Sequence, residues 1–433
     1  MKNVMLTICV IAFIAGVACA DGDVGDLFAQ SNKLKVDNTA GLSQKIIEKD
    51  YSDFKIYEEV LYHKIYGALY GKCIGILLAQ PFEGLPRQEI EKRASKHDAY
   101  PIEYYLPNGV EVSWDGLQAY LVGNFKKPGY PANDDTTLMF TALVALREHG
   151  FDFTPKNIAE AWIEYVPSAA TAEAVALENY KKGLWPPESA IRNNPYREWI
   201  GSQMRTDIWG LVSPAMPKVA AELAKRDSIT THVGNGVYGG QFAAALTSLA
   251  FCEPDMLTLL EQSLLVIPQH SEYAWAIRDV ISWYKKGYTW DQSWQLLDDR
   301  YGWNADGTRV NQWHEKEYND GSKKCYVWRN SRWVHAVPNG AAVALSLLYS
   351  EGDFSKGICL ATMAGYDNDC NAGTVGAVIG IRIGAGNIPE KWKEPIRDTM
   401  APGTKALASR EKISKISREI TDFAKENLKR NKR

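Results

Sequence analysis

The chain reads as one large all-α domain, on three observations. Apolar residues recur at helical spacing through most of its length, strand-like alternation is nearly absent, and no low-complexity linker divides it. Its 433 residues, 45% hydrophobic and 23% charged, are ample for such a core. A net charge of −3 gives no electrostatic footprint for a nucleic-acid polymer or an anionic membrane. The basic run at 425–433 reads as a solvated helix end.

Residues 1–20 have the pattern of a secretory signal: Lys2, an apolar stretch at 4–18, then small Ala18 and Ala20. The mature chain is expected to begin at Asp21, in an exported, periplasmic or secreted protein. Cys19 raises a lipoprotein alternative, ranked second because Gly16 stands where a lipobox prefers Leu. No other stretch is long and uncharged enough to span a bilayer. Residues 21–50 form an acidic leader, and 51–433 the helical domain.

In the first helical run, at 53–79, Ile56, Val60, Ile65 and Leu69 recur while Gly67, Gly71 and Gly75 make a small-residue stripe that lets another helix approach closely. Thr154-Pro155 reads as N-cap plus first helical residue before Ile158, Ala161, Trp162 and Tyr165. Further helices are expected at 217–225, 240–251, 255–266, 271–284, 339–349 and 409–428. Residues 325–334 are the one candidate hairpin, turning at Asn330-Ser331. The stretch 285–333, rich in Gly, Asn, Asp and Trp, reads as a long loop excursion, a length that often carries function.

Seven cysteines, two of them in the signal, leave Cys73, Cys252, Cys325, Cys359 and Cys370. An odd number with irregular spacing is no disulfide framework, and no CxxC pair suggests zinc.

The chemistry concentrates in two acidic clusters, Asn133-Asp134-Asp135-Thr136 and Asp367-Asn368-Asp369-Cys370-Asn371, each opening an apolar helical run. One Asp before a helix is usually an N-cap, but a second adjacent Asp is not needed for that. Asp367 and Asp369 are two residues apart, so they converge only on a turn. The run after them carries Gly373, Gly376, Gly380 and Gly384 among Val and Ile, a closely packed buried helix that supports the turn rigidly. Four carboxylates at two helix starts would require a cation or a proton if the fold brought them together.

In this order the motifs resemble the ADP-ribosylglycohydrolase (ADP-ribosyl-acceptor hydrolase) family. The family's opening motif, roughly GALLGLAIGDALG and then a Glu, matches GALYGKCIGILLAQPFE from Gly67 to Glu83. Its TDDT matches Asn133 to Thr136, and its GGDTDTNA matches Gly365 to Ala372, with Ile388-Pro389-Glu390-Lys391-Trp392 beyond. Thr231-His232 before a GxYGG turn and His335-Ala336-Val337-Pro338-Asn339 before an Ala-rich helix fit a branch of the same superfamily.

The resemblance implies an orthogonal helical bundle that holds one or two divalent ions, Mg²⁺ or Mn²⁺, and cleaves a bond at C1 of a ribose. Asn133, Asp134, Asp135, Asp367, Asp369 and Cys370 stand at its ligand positions. Glu83, Asp135 and Asp369 are the catalytic candidates, Glu83 as acid or base. His232, Trp209, His335 and Asn339 are candidate substrate contacts; core packing competes for Trp209 and helix capping for Asn339. The chain departs from the pattern at three places: Asn133 and Cys370 each replace a Thr, and Ile76 stands where the first motif has Asp. A thiol is a poor partner for Mg²⁺.

The expected function is metal-dependent hydrolysis of a small-molecule riboside or an ADP-ribosyl substrate. The alternative is an inactive riboside-binding protein that keeps the pocket and has lost a metal. A third class, a surface interaction protein, would use the 285–333 excursion.

Overall fold

The computed structural model describes residues 46–106, 129–302 and 331–431. Among them are 18 α-helices, and the only sheet is the short antiparallel ladder of Thr399–Met400 with Glu411–Lys412. The all-α class is thus established. The signal at 1–20, Cys19, Cys325 and most of the leader lie outside the described residues.

Two helices form the axis of the molecule, Glu58–Ala79 and Asn368–Ile383. They run antiparallel with their backbones in contact. A Cβ on Gly67, Gly71 or Gly75 would overlap the carbonyl oxygen of Gly380, Gly376 or Ala372 in turn, and Gly376 and Gly380 answer with the same restriction toward Gly71 and Gly67. The contacts step by four residues on each helix, so both stripes lie along the same ridge. This register sets the C-terminal end of the first helix beside the N-terminal end of the second.

Around this axis, buried apolar side chains from Leu61 to Ala424 make one continuous core. Most expected helices appear with ends shifted by a few residues, and several are closed by the cap the sequence suggests. Thr154 and Asn157 form a capping box for Pro155–Tyr165. Asp255 and Ser271 cap Met256–Leu264 and Glu272–Lys285. Gly150, at φ +60, ends Asp134–His149.

Three expectations change. Within 285–333, Trp290–Tyr301 is a helix opened by a Thr289–Gln292 capping box, so part of the stretch is regular structure; residues 303–330 lie outside the described ones. Residues 325–330 of the candidate hairpin lie outside as well, and Ser331–Val334 is a 3₁₀ turn. The helix expected from 339 begins at Ala336, because the side chain of His335 already accepts from the Val337 N–H. No helix among the described residues is long and apolar enough to cross a membrane.

The backbone contact makes a direct prediction. Gly71→Ala must push the two central helices apart and lose about 1–3 kcal/mol of stability in chemical denaturation. Gly386→Ala, where a Cβ meets nothing within 4 Å, should stay within about 0.5 kcal/mol of the parent. Equal effects at the two positions would contradict the packing account.

Candidate metal centre

Glu83 follows the first central helix after the short Gln80–Phe82 turn, and Asp367 and Asp369 stand at the start of the second. The antiparallel register therefore delivers all three to one end of the axis. Two turns are stitched together there: the Gly84 N–H donates to the Tyr366 carbonyl at 3.0 Å, and a Cβ on Gly365 (φ +78) would crowd the Leu85 carbonyl. Tyr366 itself sits at φ +65, a left-handed conformation that a bulky residue adopts only when its surroundings impose it. Its buried hydroxyl donates to Asp298 Oδ1 at 2.7 Å, which supplies that restraint.

Asp134 and Asp135 arrive from the helix Asp134–His149, whose N-cap is Asn133. Asn133 Oδ1 accepts from the Asp135 N–H at 2.9 Å, and its amide nitrogen donates to Asp369 Oδ2 at 3.3 Å. Thus Asn133 both caps the helix and ties the two acidic motifs together. The bridging role stands beside the expected ligand role, since the cap uses one of the two lone pairs of Asn133 Oδ1.

The carboxylates form two overlapping groups that share Asp369. Ligand atoms of Glu83, Asp367 and Asp369 lie within 4.8 Å of one another, as do those of Asp135, Asp369 and Cys370. Asp135, Asp367 and Asp369 are buried, Glu83 is half-buried and Asp134 is exposed. Asp134 and Glu83 therefore form the rim of the centre and the other carboxylates its floor. Oδ1 of Asp367 and Oδ1 of Asp369 are buried with no hydrogen-bond partner among the described residues. Such oxygens suit a hard divalent cation, so the donor set of Glu83, Asp367 and Asp369 fits one.

Crowding shows in the protonation equilibria. Burial, then the charges of Asp369, Asp134 and Asp135, holds Glu83 well above the usual carboxylate range. Asp367 is raised likewise by burial, Asp369 and Glu83. At the rim, desolvating surroundings and Asp369 push Asp134 up to about 6. Burial also raises Asp135, although Lys72 opposes it. The Cys370 thiol is lifted well above its ordinary value by burial and the carboxylates around it, which keeps it protonated.

Asp135 faces inward. One oxygen lies 3.6 Å from Lys72 Nζ and the other accepts from Cys370 Sγ at 3.3 Å. Lys72 and Cys370 thus anchor Asp135, whose Oδ1 accepts no hydrogen bond among the described residues. Cys370, which also touches Met204 Sδ at 3.7 Å, packs as a buried thiol.

The four candidate substrate contacts are all buried. Trp209 is fully buried, stacks on Phe153 with ring centroids 4.6 Å apart and donates to Asp227 Oδ2. It is a core residue. His232 has no exposed surface and sits in an internal network, its Nδ1 2.6 Å from Thr231 Oγ1 and its Nε2 3.7 Å from Glu173. Burial and Arg205 lower its pKa well below the ordinary histidine value, so it stays neutral. His335 is equally enclosed, as a helix cap beside Glu198.

Asn339 is not the cap of its helix, which is His335. Its amide nitrogen donates to the carbonyls of Trp333 and His335 at 2.8 Å each, while its oxygen accepts from the Asp367 N–H at 3.1 Å and Asn371 Nδ2 at 2.7 Å. All four of its hydrogen-bonding positions are filled. It clamps the Asp367 turn.

Lys72 is the residue that sequence reasoning missed. It is wholly buried in the first central helix and binds the Met204 carbonyl at 2.7 Å and Asp207 at 2.8 Å. Burial alone would lower its pKa, but Asp207 and Asp135 outweigh that and raise it, so the ammonium stays charged. The available signal was a lone Lys in the apolar stretch GALYGKCIGILLA.

An all-α protein with an acidic centre between two helix starts is the class that fold and site define. The sequence profile of the ADP-ribosylglycohydrolase family matches residues 58–427, and the chain belongs to that family. No curated protein matches it significantly. A solved structure described as an "ADP-ribosylglycohydrolase-related protein complex" is similar at 19% identity and TM-score 0.49, covering 86% of this chain and 99% of its own. Family membership supports a glycohydrolase-type hydrolase, of a kind generally dependent on metal.

The raised carboxylates set a pH dependence. A carboxyl whose pKa rises on folding binds protons more tightly in the folded state, so apo stability falls as pH climbs from 3.8 through about 6 for Asp134, and higher for Glu83 and Asp367. A bound cation must displace those protons. Fixed Mn²⁺ should therefore raise the melting temperature more at about pH 8 than at about pH 5. A shift independent of pH, or larger in acid, would count against the centre.

Proposed function

We propose that this protein is an exported, metal-dependent glycoside hydrolase that cleaves a ribosyl bond at C1. One observation carries the reading: the buried oxygens of Asp367 and Asp369, without hydrogen-bond partners among the described residues, converge beside Glu83. Asp367, Asp369 and Glu83 would hold the divalent ion, Mg²⁺ or Mn²⁺, which when bound orients ribose hydroxyls and acidifies a water. Asn133 and Asn339 keep the two acidic turns in place, one through Asp369 and the other through the Asp367 backbone. Half-buried Glu83, beside Asp369, would serve as general acid or base through the carboxylate oxygen that does not hold the ion. It takes a proton from water as C1 gains oxocarbenium character, or gives one to the leaving group. Asp134, exposed at the rim, is placed to accept hydrogen bonds from ribose hydroxyls.

The substrate class follows from export. Outside the cytoplasm, nucleosides, free nucleotides and other ribosides are more plausible substrates than ADP-ribosylated proteins. A second reading, an inactive riboside-binding protein, draws on the buried thiol of Cys370 at a position facing the carboxylates.

Purified protein should be assayed with Mn²⁺ against nucleosides, simple ribosides and an ADP-ribosyl-protein. Turnover of the first two is expected, and turnover of only the last would contradict the riboside reading. Asp369→Asn should lower kcat/KM by roughly 100-fold or more. Riboside binding without turnover of any of the three would favour the binding protein.

A further inference from the structure

The two ligand groups that share Asp369 are not equivalent. In the group of Asp135, Asp369 and Cys370 a cation is already built in. The Lys72 ammonium has three N–H donors: one meets the Met204 carbonyl and one Asp207, and Asp135 Oδ1 at 3.6 Å is the remaining acceptor near it. The other Asp135 oxygen takes the S–H of Cys370, whose sulfur is a poor ligand for a hard cation. A divalent ion here would lie against a fixed positive charge and displace an existing hydrogen bond.

In the group of Glu83, Asp367 and Asp369 the situation reverses. Oδ1 of Asp367 is buried without a hydrogen-bond partner among the described residues, as are Asp135 Oδ1 and the shared Asp369 Oδ1, but only Asp135 has an ammonium beside it: no Lys or Arg among those residues forms an ion pair with Asp367 or Asp369. Asp369 is braced on its other oxygen by Asn133, which leaves Oδ1 oriented and free.

We infer that the centre takes one divalent ion, between Glu83, Asp367 and Asp369, and that the Lys72 ammonium is the fixed cation of the neighbouring group, in place of a second ion. The inference rests on the reading of the centre as metal-dependent. It assigns Lys72 a positioning role: it holds Asp135, and through Cys370 the first turn of the Asn368–Ile383 helix, without contact to substrate.

The test is the ion count. The full mature chain, stripped with chelator, is titrated with Mn²⁺ by calorimetry, and free Mn²⁺ is followed by electron paramagnetic resonance. One ion per chain is expected. Two ions of similar affinity overturn the role of Lys72 while leaving a metal-dependent centre standing, and no ion at all overturns both. Asp367→Asn, confirmed folded by circular dichroism, locates the ion, since Asp367 belongs only to the first group. Its affinity should fall by about 100-fold, and retention would place the ion beside Lys72 and contradict the inference. The double variant Lys72→Met, Cys370→Thr removes the fixed cation and supplies a harder donor; folded, it should bind two ions. A folded double variant that still binds one contradicts the substitution of Lys72 for an ion. Should it fail to fold, the wild-type count and Asp367→Asn decide.

Discussion

Everything in this centre depends on two helices whose backbones touch. Gly67, Gly71 and Gly75 face Gly380, Gly376 and Ala372 so closely that a single methyl group does not fit between them. Close antiparallel contact at three successive steps allows neither sliding nor rotation, because interlocked backbones lack the adaptability of side-chain packing. The end of one helix is thereby held against the start of the other. Glu83, more than two hundred residues before Asp367, comes within coordinating distance of it for this reason alone.

Such rigidity is what an acidic cluster requires. Carboxylates at this spacing repel one another and would move apart on a compliant scaffold, or simply hold protons. Here they are braced from several directions: Asn133 from the third helix start, Asn339 through the Asp367 backbone, and the Gly84 to Tyr366 hydrogen bond between the two turns. Tyr366 in its left-handed conformation shows that the turn is imposed by its surroundings rather than preferred locally. Lys72 offsets the inner edge of the cluster and leaves the outer edge uncompensated. The asymmetry gives the centre one neutralised side and one anionic side.

What was legible in the sequence was mostly local. The glycine stripes and the Thr154 cap each carry a signal within a few residues, and each appears in the structure as expected. Partnerships made at long range were not legible. Asn339 looked like a helix cap because it follows Pro338, yet His335 caps first and frees Asn339 to reach a turn almost thirty residues on. Trp209 and the two histidines look like ligand contacts by residue type, but all three side chains are fully buried, which no local pattern reveals. Lys72 was overlooked because its helix was read for its glycines. A buried Lys is informative only once its acidic partners are known, and Asp207 is distant in sequence.

The central claim is that backbone packing of two glycine-striped helices builds a cation site from motifs far apart in the chain. Anomalous X-ray scattering from crystals soaked in Mn²⁺ tests it most directly. The account predicts a peak bounded by Glu83, Asp367 and Asp369, with Lys72 still beside Asp135. A peak located away from these carboxylates, or no peak in crystals that retain the helix contact, would contradict it.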